Sequence, residues 1–474
     1  MRLTSIVWPL LCASHYAAAA PYSFENQPTP TLVDRSLLKG FRKFLGGIAG
    51  VVFDDTVGGL LQQVETAVNA GDRDGLLNAM QNLKPTASPT NVEEASSAIR
   101  AAATERPSSL FEFNSKLVAN GIIFGTMAEI LGYTKDLRTG ENSNQNVNPD
   151  PPRNVYPKAA SCDAPYSIPE SMLRSAIYIP KTFTFGQKSP VILLPGTGVT
   201  GYLSFVGSFI PLLTGTDWAD PVWVNVPGDM LDDVQTNAEY AAYAMNYIAS
   251  LTKRNVAVIG WSQGNLIAQW AFKYWPSTRK ITTDHVAVSA NYNGSASSGF
   301  SSAIAATKKP SVLQQQAESK FIARLRSDGG DSAYVPTTSI YTGNYDQIVQ
   351  PQSGSGASAY LLDSRRVGVS NTEVQSACSG QTAGGFYTHE GVLANPLTFA
   401  LAKDAIINHG PGQVSRIRAR EVCSTYLTPG LGLKEFLKTE NAMLIAGSTI
   451  LFDQLQTDGE PAIKDYANRD TLSC

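Results

Sequence analysis

A serine between two glycines is the first candidate for chemistry in this chain of 474 residues. Ser262 lies in the segment Gly260-Trp-Ser-Gln-Gly264, after the β-branched run Val256 to Ile259 and before apolar residues at helical spacing. This Gly-x-Ser-x-Gly pattern is typical of a nucleophile elbow, a strand-to-helix turn that holds a serine hydroxyl above a sheet. Such a turn favours glycine because neighbouring backbone comes too close for side chains. We therefore predict that Ser262 is a nucleophile; the alternative is an ordinary strand-to-helix turn.

A serine nucleophile needs a base that takes its proton and an acid that orients the base, in the chain order Ser, acid, His. Only His389 and His409 follow Ser262 with room for an acid between. His389 lies in a glycine-flanked loop, where a base can approach a substrate, whereas His409 precedes Gly410 and resembles a helix end. His285 begins a predicted strand and is interpreted as structural. We predict that His389 is the base.

The orienting acid is expected at the carboxyl end of a strand that precedes His389. Asp346 follows the apolar run around Ile340 and meets this requirement. Asp331 and Asp363 lie in loops next to Gly or Arg residues, and we interpret them as solvated. We therefore predict that Asp346 is the acid.

The negative oxygen formed during attack on an ester requires donors that are already in position. Gln263 follows the nucleophile and offers its backbone N–H. The glycine-rich loop at Thr197 follows an early predicted strand and offers a second N–H and a hydroxyl. A phosphate-binding role for this loop is weak, because no Gly-Lys-Ser/Thr sequence follows it. With four histidines and no Cys-x-x-Cys, the sequence does not predict a zinc site.

Alternating strands and helices must position these residues. Five short apolar runs are predicted strands: 190–194, 221–226, 255–259, 285–289 and 338–342. Their continuous apolar character suits a parallel sheet covered on both faces. Residues 233–253 have helical periodicity between two of these strands, so the pattern predicts an α/β fold with a wound, mostly parallel sheet.

The chain before this pattern divides into three predicted parts. Arg2, the apolar run to Cys12 and the alanines at 17–20 predict a secretory signal peptide over residues 1–20. Residues 21–140 contain amphipathic helical patterns, including a capped helix from Asn91 to Ala103 and another from Leu110 to Leu131. Residues 141–160 contain four prolines and five asparagines and predict a linker, the alternative being a long ordered surface loop. We assign the catalytic domain to residues 161–474.

Composition and cysteine use limit the classes of partner and compartment. A net charge of −3 argues against nucleic-acid binding, because no basic excess is present to neutralise phosphates. The signal peptide predicts a secreted protein, in which disulfides are stable. Cys162, Cys378, Cys423 and Cys474 remain after the signal and allow three pairings. Asn293-Gly-Ser295 is a predicted glycosylation sequon.

In combination, these motifs resemble those of fungal lipases of the Candida antarctica lipase B type. The resemblance rests on LLPGTGVTG, TNAEY, GWSQGNLIAQW, YDQIVQPQ and the His389-Glu-Gly segment, and it runs from about Cys162 to Cys474. It implies an α/β-hydrolase that cleaves lipid esters without a metal or cofactor, with Ser262, Asp346 and His389 as its triad. It also implies Thr197 and Gln263 as oxyanion donors, Trp261 as a wall of the alcohol-side pocket, and Ala442 to Phe452 as part of a helix lining the substrate channel.

The resemblance also implies where this chain departs from its relatives. Thr388 replaces an aspartate before the histidine, Glu390 replaces a small residue after it, and Asn291 replaces an acid, so the polarity near the pocket is expected to differ. Cys378 and Cys423 match a disulfide of the family. Cys162 and Cys474 each match half of two others, whose expected partners are Val222 and Gly459 here, so we expect these two to pair with each other.

The leading functional hypothesis is a secreted serine lipase or carboxylesterase that acts on lipid esters, with a lipid interface as a further candidate partner. An acyltransferase could use the same triad with an alcohol or amine as acceptor. A catalytically silent binding protein on the same fold is the third alternative. For residues 21–140 we expect a helical pro-region or cap on the catalytic domain, the alternative being a lipid-surface anchor.

Overall fold

The computed structural model describes residues 85–105, 116–133, 138–296, 308–453 and 455–468. The predicted signal peptide, the helical pattern between Leu37 and Leu83, and Cys474 lie outside these residues. In the described part, no helix is long and apolar enough to cross a membrane.

A seven-stranded sheet forms the centre of the molecule, with the spatial order β1-β3-β2-β4-β5-β6-β7. Every neighbouring pair is parallel except β1 and β3 at one edge. The strands are Ile177–Tyr178 (β1), Ser189–Leu194 (β2), Ala219–Val224 (β3), Val256–Trp261 (β4), Thr282–Val288 (β5), Thr337–Tyr341 (β6) and Val369–Glu373 (β7). The predicted mostly parallel α/β architecture is confirmed.

The five predicted strands form as β2 to β6, because their apolar runs are covered on both faces of the sheet. All residues of β3 and β4 are buried. The pattern missed β1, which has only two residues, and β7, whose sequence Val-Ser-Asn-Thr-Glu is mostly half-buried. An edge strand is exposed along one side, so it needs no continuous apolar run.

Helices cover both faces of the sheet. Before the sheet and between its first strands lie Val92–Thr104 (α1), Met127–Tyr133 (α2), Glu170–Ser175 (α3), Gly201–Phe205 (α4) and Phe209–Leu213 (α5). The central helices are Val234–Thr252 (α6), Gln263–Tyr274 (α7), Ser277–Ile281 (α8), Pro310–Gln314 (α9) and Lys320–Arg326 (α10). The last are Val374–Ala377 (α11), Pro396–Asn408 (α12), Ala419–Val422 (α13) and Leu433–Phe452 (α14).

Capping residues define the ends of two helices, of which the start at Asn91 was predicted from the sequence. The Asp233 side chain accepts from the N–H of Gln235 at the start of α6, and Lys253 ends that helix in a left-handed conformation. At the start of α1, Asn91 accepts from the N–H of Glu94. Side-chain acceptors at these positions satisfy N–H groups that have no partner within the helix.

The predicted helix from Leu110 to Leu131 is interrupted. Residues 116–119 are helical, the chain then turns, and α2 begins at Met127. Gly121 has φ of +71°, and a Cβ on it would lie 2.2 Å from the carbonyl oxygen of Ala87. This close approach to another segment stops the helix, and the apolar spacing on either side did not reveal it.

The described N-terminal helices belong to the core of the catalytic domain. Apolar residues of α1 and α2, such as Ile99 and Leu131, are buried in one cluster with Phe436 and Ala446 of α14. Both helices contact α14 directly. The apolar faces predicted for residues 21–140 are therefore partly covered by the C-terminal helix.

Residues 141–160 form an ordered strap along the following domain, which favours the alternative of an ordered surface loop, and the domain boundary predicted here stays a prediction. The segment is largely irregular, and its asparagine amides and carbonyl groups bond to the catalytic domain. Examples are Trp223 Nε1 to Glu141 O (2.8 Å), Asn148 Nδ2 to Ile177 O (2.7 Å) and Tyr247 OH to Pro149 O (2.7 Å). Proline excludes regular structure here but does not prevent hydrogen bonds to the neighbouring domain.

Candidate active site

Ser262 occupies a strained turn between β4 and α7. Its φ and ψ are 53° and −122°, and its N–H donates to the carbonyl of Val288 at the end of β5 (3.1 Å). A Cβ on Gly260 would lie 2.3 Å from Asn265 Oδ1, and one on Gly264 would lie 2.3 Å from the carbonyl oxygen of Leu194. A backbone conformation of this kind is costly and persists only where the surroundings enforce it, as functional sites often do. The turn has the geometry predicted for a nucleophile elbow.

His389 and Asp346 form a buried pair beside this turn. His389 Nδ1 lies 2.8 Å from Asp346 Oδ2, and both residues are 1% exposed. The other carboxylate oxygen accepts from the N–H groups of Ile348 (2.9 Å) and Val349 (2.7 Å). Asp346 is thus the acceptor in three hydrogen bonds, so the His389 ring donates to it through Nδ1, and in the neutral ring this leaves Nε2 as an acceptor. Among the described residues, Nε2 has no hydrogen-bond partner.

The backbone of His389 is fixed by three side chains. Its N–H donates to Gln347 Oε1 (2.7 Å), and its carbonyl accepts from Trp261 Nε1 (3.1 Å) and Ser289 Oγ (2.9 Å). Trp261 was predicted at the site, whereas Gln347 and Ser289 were not. Gln347 lies in the motif YDQIVQPQ, but the motif did not indicate a role for it, and a serine after a strand carries no distinctive signal.

Thr197 and Gln263 lie together at the opposite side of Ser262. Gln263 is the first residue of α7, so its N–H has no acceptor within the helix. Its side-chain amide donates to Thr197 Oγ1 (2.8 Å) and to the carbonyl of Met230 (3.0 Å). Gln315 Nε2 also donates to Thr197 Oγ1 (3.0 Å). Two amides therefore hold the Thr197 hydroxyl beside the nucleophile, and Gln315 was not predicted.

A pocket connects these residues. Its polar lining consists of Thr197, Ser262, Asn291, Ser295, Gln315, Gln316 and His389. Its apolar lining consists of Trp261, Val312, Ile348, Val349, Met443 and Ile450. The last two belong to α14, within the stretch that the resemblance assigned to the substrate channel. Asn291 Nδ2 donates to Gln315 Oε1 (3.0 Å), while Asn291 Oδ1 has no partner among the described residues.

Thr388 and Glu390, two of the three departures from the family, lie behind the histidine and do not line the pocket. Glu390 is fully buried and accepts from Gln347 Nε2 (2.9 Å). The Thr388 hydroxyl donates to Glu440 of α14 (3.1 Å). Burial and the neighbouring Glu440 raise the pKa of Glu390 well above its usual range, and burial raises the pKa of Glu440 to about 7.

The remaining predicted residues are distributed around the domain. Cys378 and Cys423 form a disulfide with a Cα–Cα distance of 5.5 Å. Cys162 is also disulfide-bonded, and because Cys474 lies outside the described residues, that pairing stays a prediction. Asn293 of the sequon is exposed. His285 is buried with Nε2 3.2 Å from Asn265 Oδ1, and His409 ends α12.

The fold and this arrangement of side chains define the class of α/β-hydrolases. In sequence, the chain is 32% identical over 247 residues to lipase B of Pseudozyma antarctica, a match that covers 52% of this chain and 69% of that protein. Among solved structures, Aspergillus fumigatus lipase B matches with a TM-score of 0.76 and 39% identity, covering 91% of this chain and 99% of that one. No protein-family model matches the chain. The chain belongs to the lipase B family of fungal lipases and is a lipase-type ester hydrolase.

The structural match also corrects the extent of the resemblance. Residues 161–474 make up 314 of the 474 residues. Since the match covers 91% of the chain, it extends well into the segment before residue 161. The motifs in the sequence lie only in the catalytic domain, so they could not indicate this.

Proposed function

We propose that this chain is a secreted serine lipase or carboxylesterase that hydrolyses lipid esters of the triacylglycerol type through an acyl-enzyme on Ser262. The observation that supports this most is the buried His389–Asp346 pair, whose free Nε2 lies in the same pocket as the elbow serine. The predicted signal peptide and the Cys378–Cys423 disulfide support secretion.

The reaction begins when Ser262 Oγ attacks the ester carbonyl and its proton passes to His389 Nε2. The carbonyl oxygen becomes negative and accepts hydrogen bonds from the N–H groups of Thr197 and Gln263 and from the Thr197 hydroxyl. Asp346 stabilises the positive imidazolium. The C–O bond to the alcohol breaks as His389 returns the proton to the leaving oxygen, which Trp261 faces.

Water then hydrolyses the acyl-enzyme by the same kind of steps, with water as the nucleophile and Ser262 as the leaving group. His389 takes a proton from water, the hydroxide attacks the acyl carbonyl, and the fatty acid leaves as Ser262 recovers its proton. An alcohol or amine in place of water would make the chain an acyltransferase. Product analysis with added alcohol separates the two outcomes.

Ser262→Ala tests the proposal most directly. We expect kcat on esters of graded acyl length to fall by about 10⁴–10⁶-fold, because the nucleophile acts as a unit with its base. An organophosphonate should label the wild type stoichiometrically and leave Ser262→Ala unlabelled. The exposed Ser415 supplies the control, since Ser415→Ala should keep both activity and labelling. Retained hydrolysis by Ser262→Ala would refute the proposal.

A further inference from the structure

Two buried carboxyl groups meet directly behind the proposed base. Glu390 follows His389 in the chain and is fully buried, and Glu440 projects from α14 and is 3% exposed. Glu440 reaches the turn that carries Glu390, since a Cβ on Gly391 would lie 2.7 Å from Glu440 Oε1. Glu390 Oε1 is buried without a hydrogen-bond partner among the described residues, and each carboxyl group disfavours the charge of the other. Two carboxyl groups this close and away from water cannot both be ionised at low cost, so the arrangement requires one proton between them.

Both carboxyl groups are connected to the loop that carries His389. The side-chain oxygen of Gln347 accepts a hydrogen bond from the His389 N–H (2.7 Å), and its side-chain nitrogen donates to Glu390 (2.9 Å). On the other side, Thr388 donates to Glu440 (3.1 Å) and accepts from the N–H of Gly391 (2.8 Å). The pair therefore joins the histidine loop to α14, the helix that supplies Met443 and Ile450 to the pocket.

Few other titratable groups interact with this pair. From its own loop His389 attracts the negative charge of Glu390, and Asp346 lies beyond the imidazole. From the segment before α14, Tyr426 interacts with Glu440 and is half-buried, and desolvation of its hydroxyl raises its pKa well above the usual range. Gln347 and Thr388 are neutral. In this network, the proton shared by the two carboxyl groups is therefore the one that is lost at moderately alkaline pH.

We propose that Glu390 and Glu440 share one proton and that this acid pair, acting through Gln347 and Thr388, positions the base His389. While the proton is present, one carboxyl donates to the other and the loop stays attached to α14. When it is lost, two adjacent carboxylates repel each other and the histidine loop separates from the helix. The inference rests on the proposed role of His389 and adds a pH limit to it.

Glu390→Gln separates the proton from the hydrogen bonds. A glutamine carries an amide hydrogen that does not titrate, so it can donate to Glu440 and accept from Gln347 at every pH. It also keeps the single negative charge of the protonated pair. We expect the kcat of the wild type to fall as the pH becomes alkaline, and the kcat of Glu390→Gln to fall at a pH that is higher by about one unit or more. The maximum kcat of the variant should be within about twofold of the wild-type value.

Glu390→Ala removes the connection itself. Gln347 then loses its acceptor and Glu440 its donor, so we expect kcat to fall about tenfold with KM within about twofold, since the base is misplaced but the pocket is intact. Asp284→Asn is the matched control. Asp284 is another buried carboxyl, burial raises its pKa to about 7, and it lies near the start of β5, away from the pocket.

The measurements are kcat and KM for a p-nitrophenyl ester across pH, read at a pH-independent wavelength, with thermal unfolding at each pH. The inference is overturned if the kcat of Glu390→Gln falls at the same alkaline pH as that of the wild type, or if Asp284→Asn shifts this pH by as much as Glu390→Gln does. It is also overturned if the lower kcat of Glu390→Ala is fully accounted for by a lower melting temperature. Stoichiometric organophosphonate labelling of Glu390→Gln separates these outcomes from failure of the proposed function, in which no variant would be labelled at Ser262.

Discussion

The hydroxyl of Thr197 is the most constrained polar group beside the nucleophile. It accepts from Gln263 Nε2 (2.8 Å) and Gln315 Nε2 (3.0 Å). The Gln315 oxygen in turn accepts from Asn291 (3.0 Å), which fixes the orientation of that amide. The hydroxyl also lies 3.3 Å from Gln315 Oε1, to which it donates. Because this bond is long, the hydroxyl proton can exchange it for a bond to the negative oxygen that forms in the pocket. The geometry therefore supports the hydroxyl as a third oxyanion donor beside the two backbone N–H groups.

Thr197→Val keeps the backbone N–H and the side-chain volume but removes this hydroxyl. We expect kcat to fall by about 10²–10³-fold, the usual effect of losing one oxyanion donor, while KM changes little. Thr197→Ser should retain most of the activity because it keeps the hydroxyl. Steady-state kinetics on one ester compares the three proteins, and a Thr197→Val enzyme within threefold of wild type would assign the hydroxyl a purely structural role.

At the scale of elements, the elbow depends on a close crossing between α7 and the end of β2. A Cβ on Gly264 would lie 2.3 Å from the carbonyl oxygen of Leu194 and 2.9 Å from that of Pro195. Backbone atoms cannot rotate away as a side chain can, so the helix or the strand would have to shift. Pro195 begins the loop that carries Thr197, so such a shift would move the oxyanion donors relative to Ser262.

Gly264→Ala should therefore cost on the order of 3 kcal/mol of unfolding free energy, although alanine is the better helix former. Gly410→Ala is the control, because a Cβ there has no neighbour within 4 Å and no positive φ opposes it. We expect the control to stay within about 0.5 kcal/mol of wild type. Urea denaturation measures both, and equal stability of the two variants would contradict the close crossing.

The sequence predicted those helices and strands whose sequence pattern lies within the element itself. Apolar runs predicted β2 to β6, helical periodicity predicted α6, and a capping residue predicted the start of α1, because these patterns depend on the segment itself. The strand β7, the turn at Gly121 and the strap depend on partners distant in the chain. For the same reason the motifs predicted Ser262, Asp346 and His389, whereas Gln347 and Glu440 became visible only when the fold brought them beside His389.

Across the whole molecule, the N-terminal segment and the C-terminal helix depend on each other. Asn441 of α14 donates to the carbonyl of Phe124 (2.9 Å), and it follows Glu440, a member of the acid pair. Buried residues of α1 and α2 pack in the same cluster as Phe436 and Ala446. The segment thus packs against α14, the helix that supplies Met443 and Ile450 to the pocket. This contact favours a structural cap over a removable pro-region.

Deleting residues 21–137 tests this role, with the cut placed before Arg138 so that its ion pair with Asp229 is kept. Loss of α1 and α2 exposes the apolar face of α14, so we expect the melting temperature to fall by at least about 5 °C and an apolar dye to bind. Deleting only 21–84 retains both helices and serves as the control. The larger deletion should also have a lower kcat, because loss of the supporting helices displaces Met443 and Glu440 of α14. A rise in activity with an unchanged melting temperature would instead identify the segment as an inhibitory pro-region.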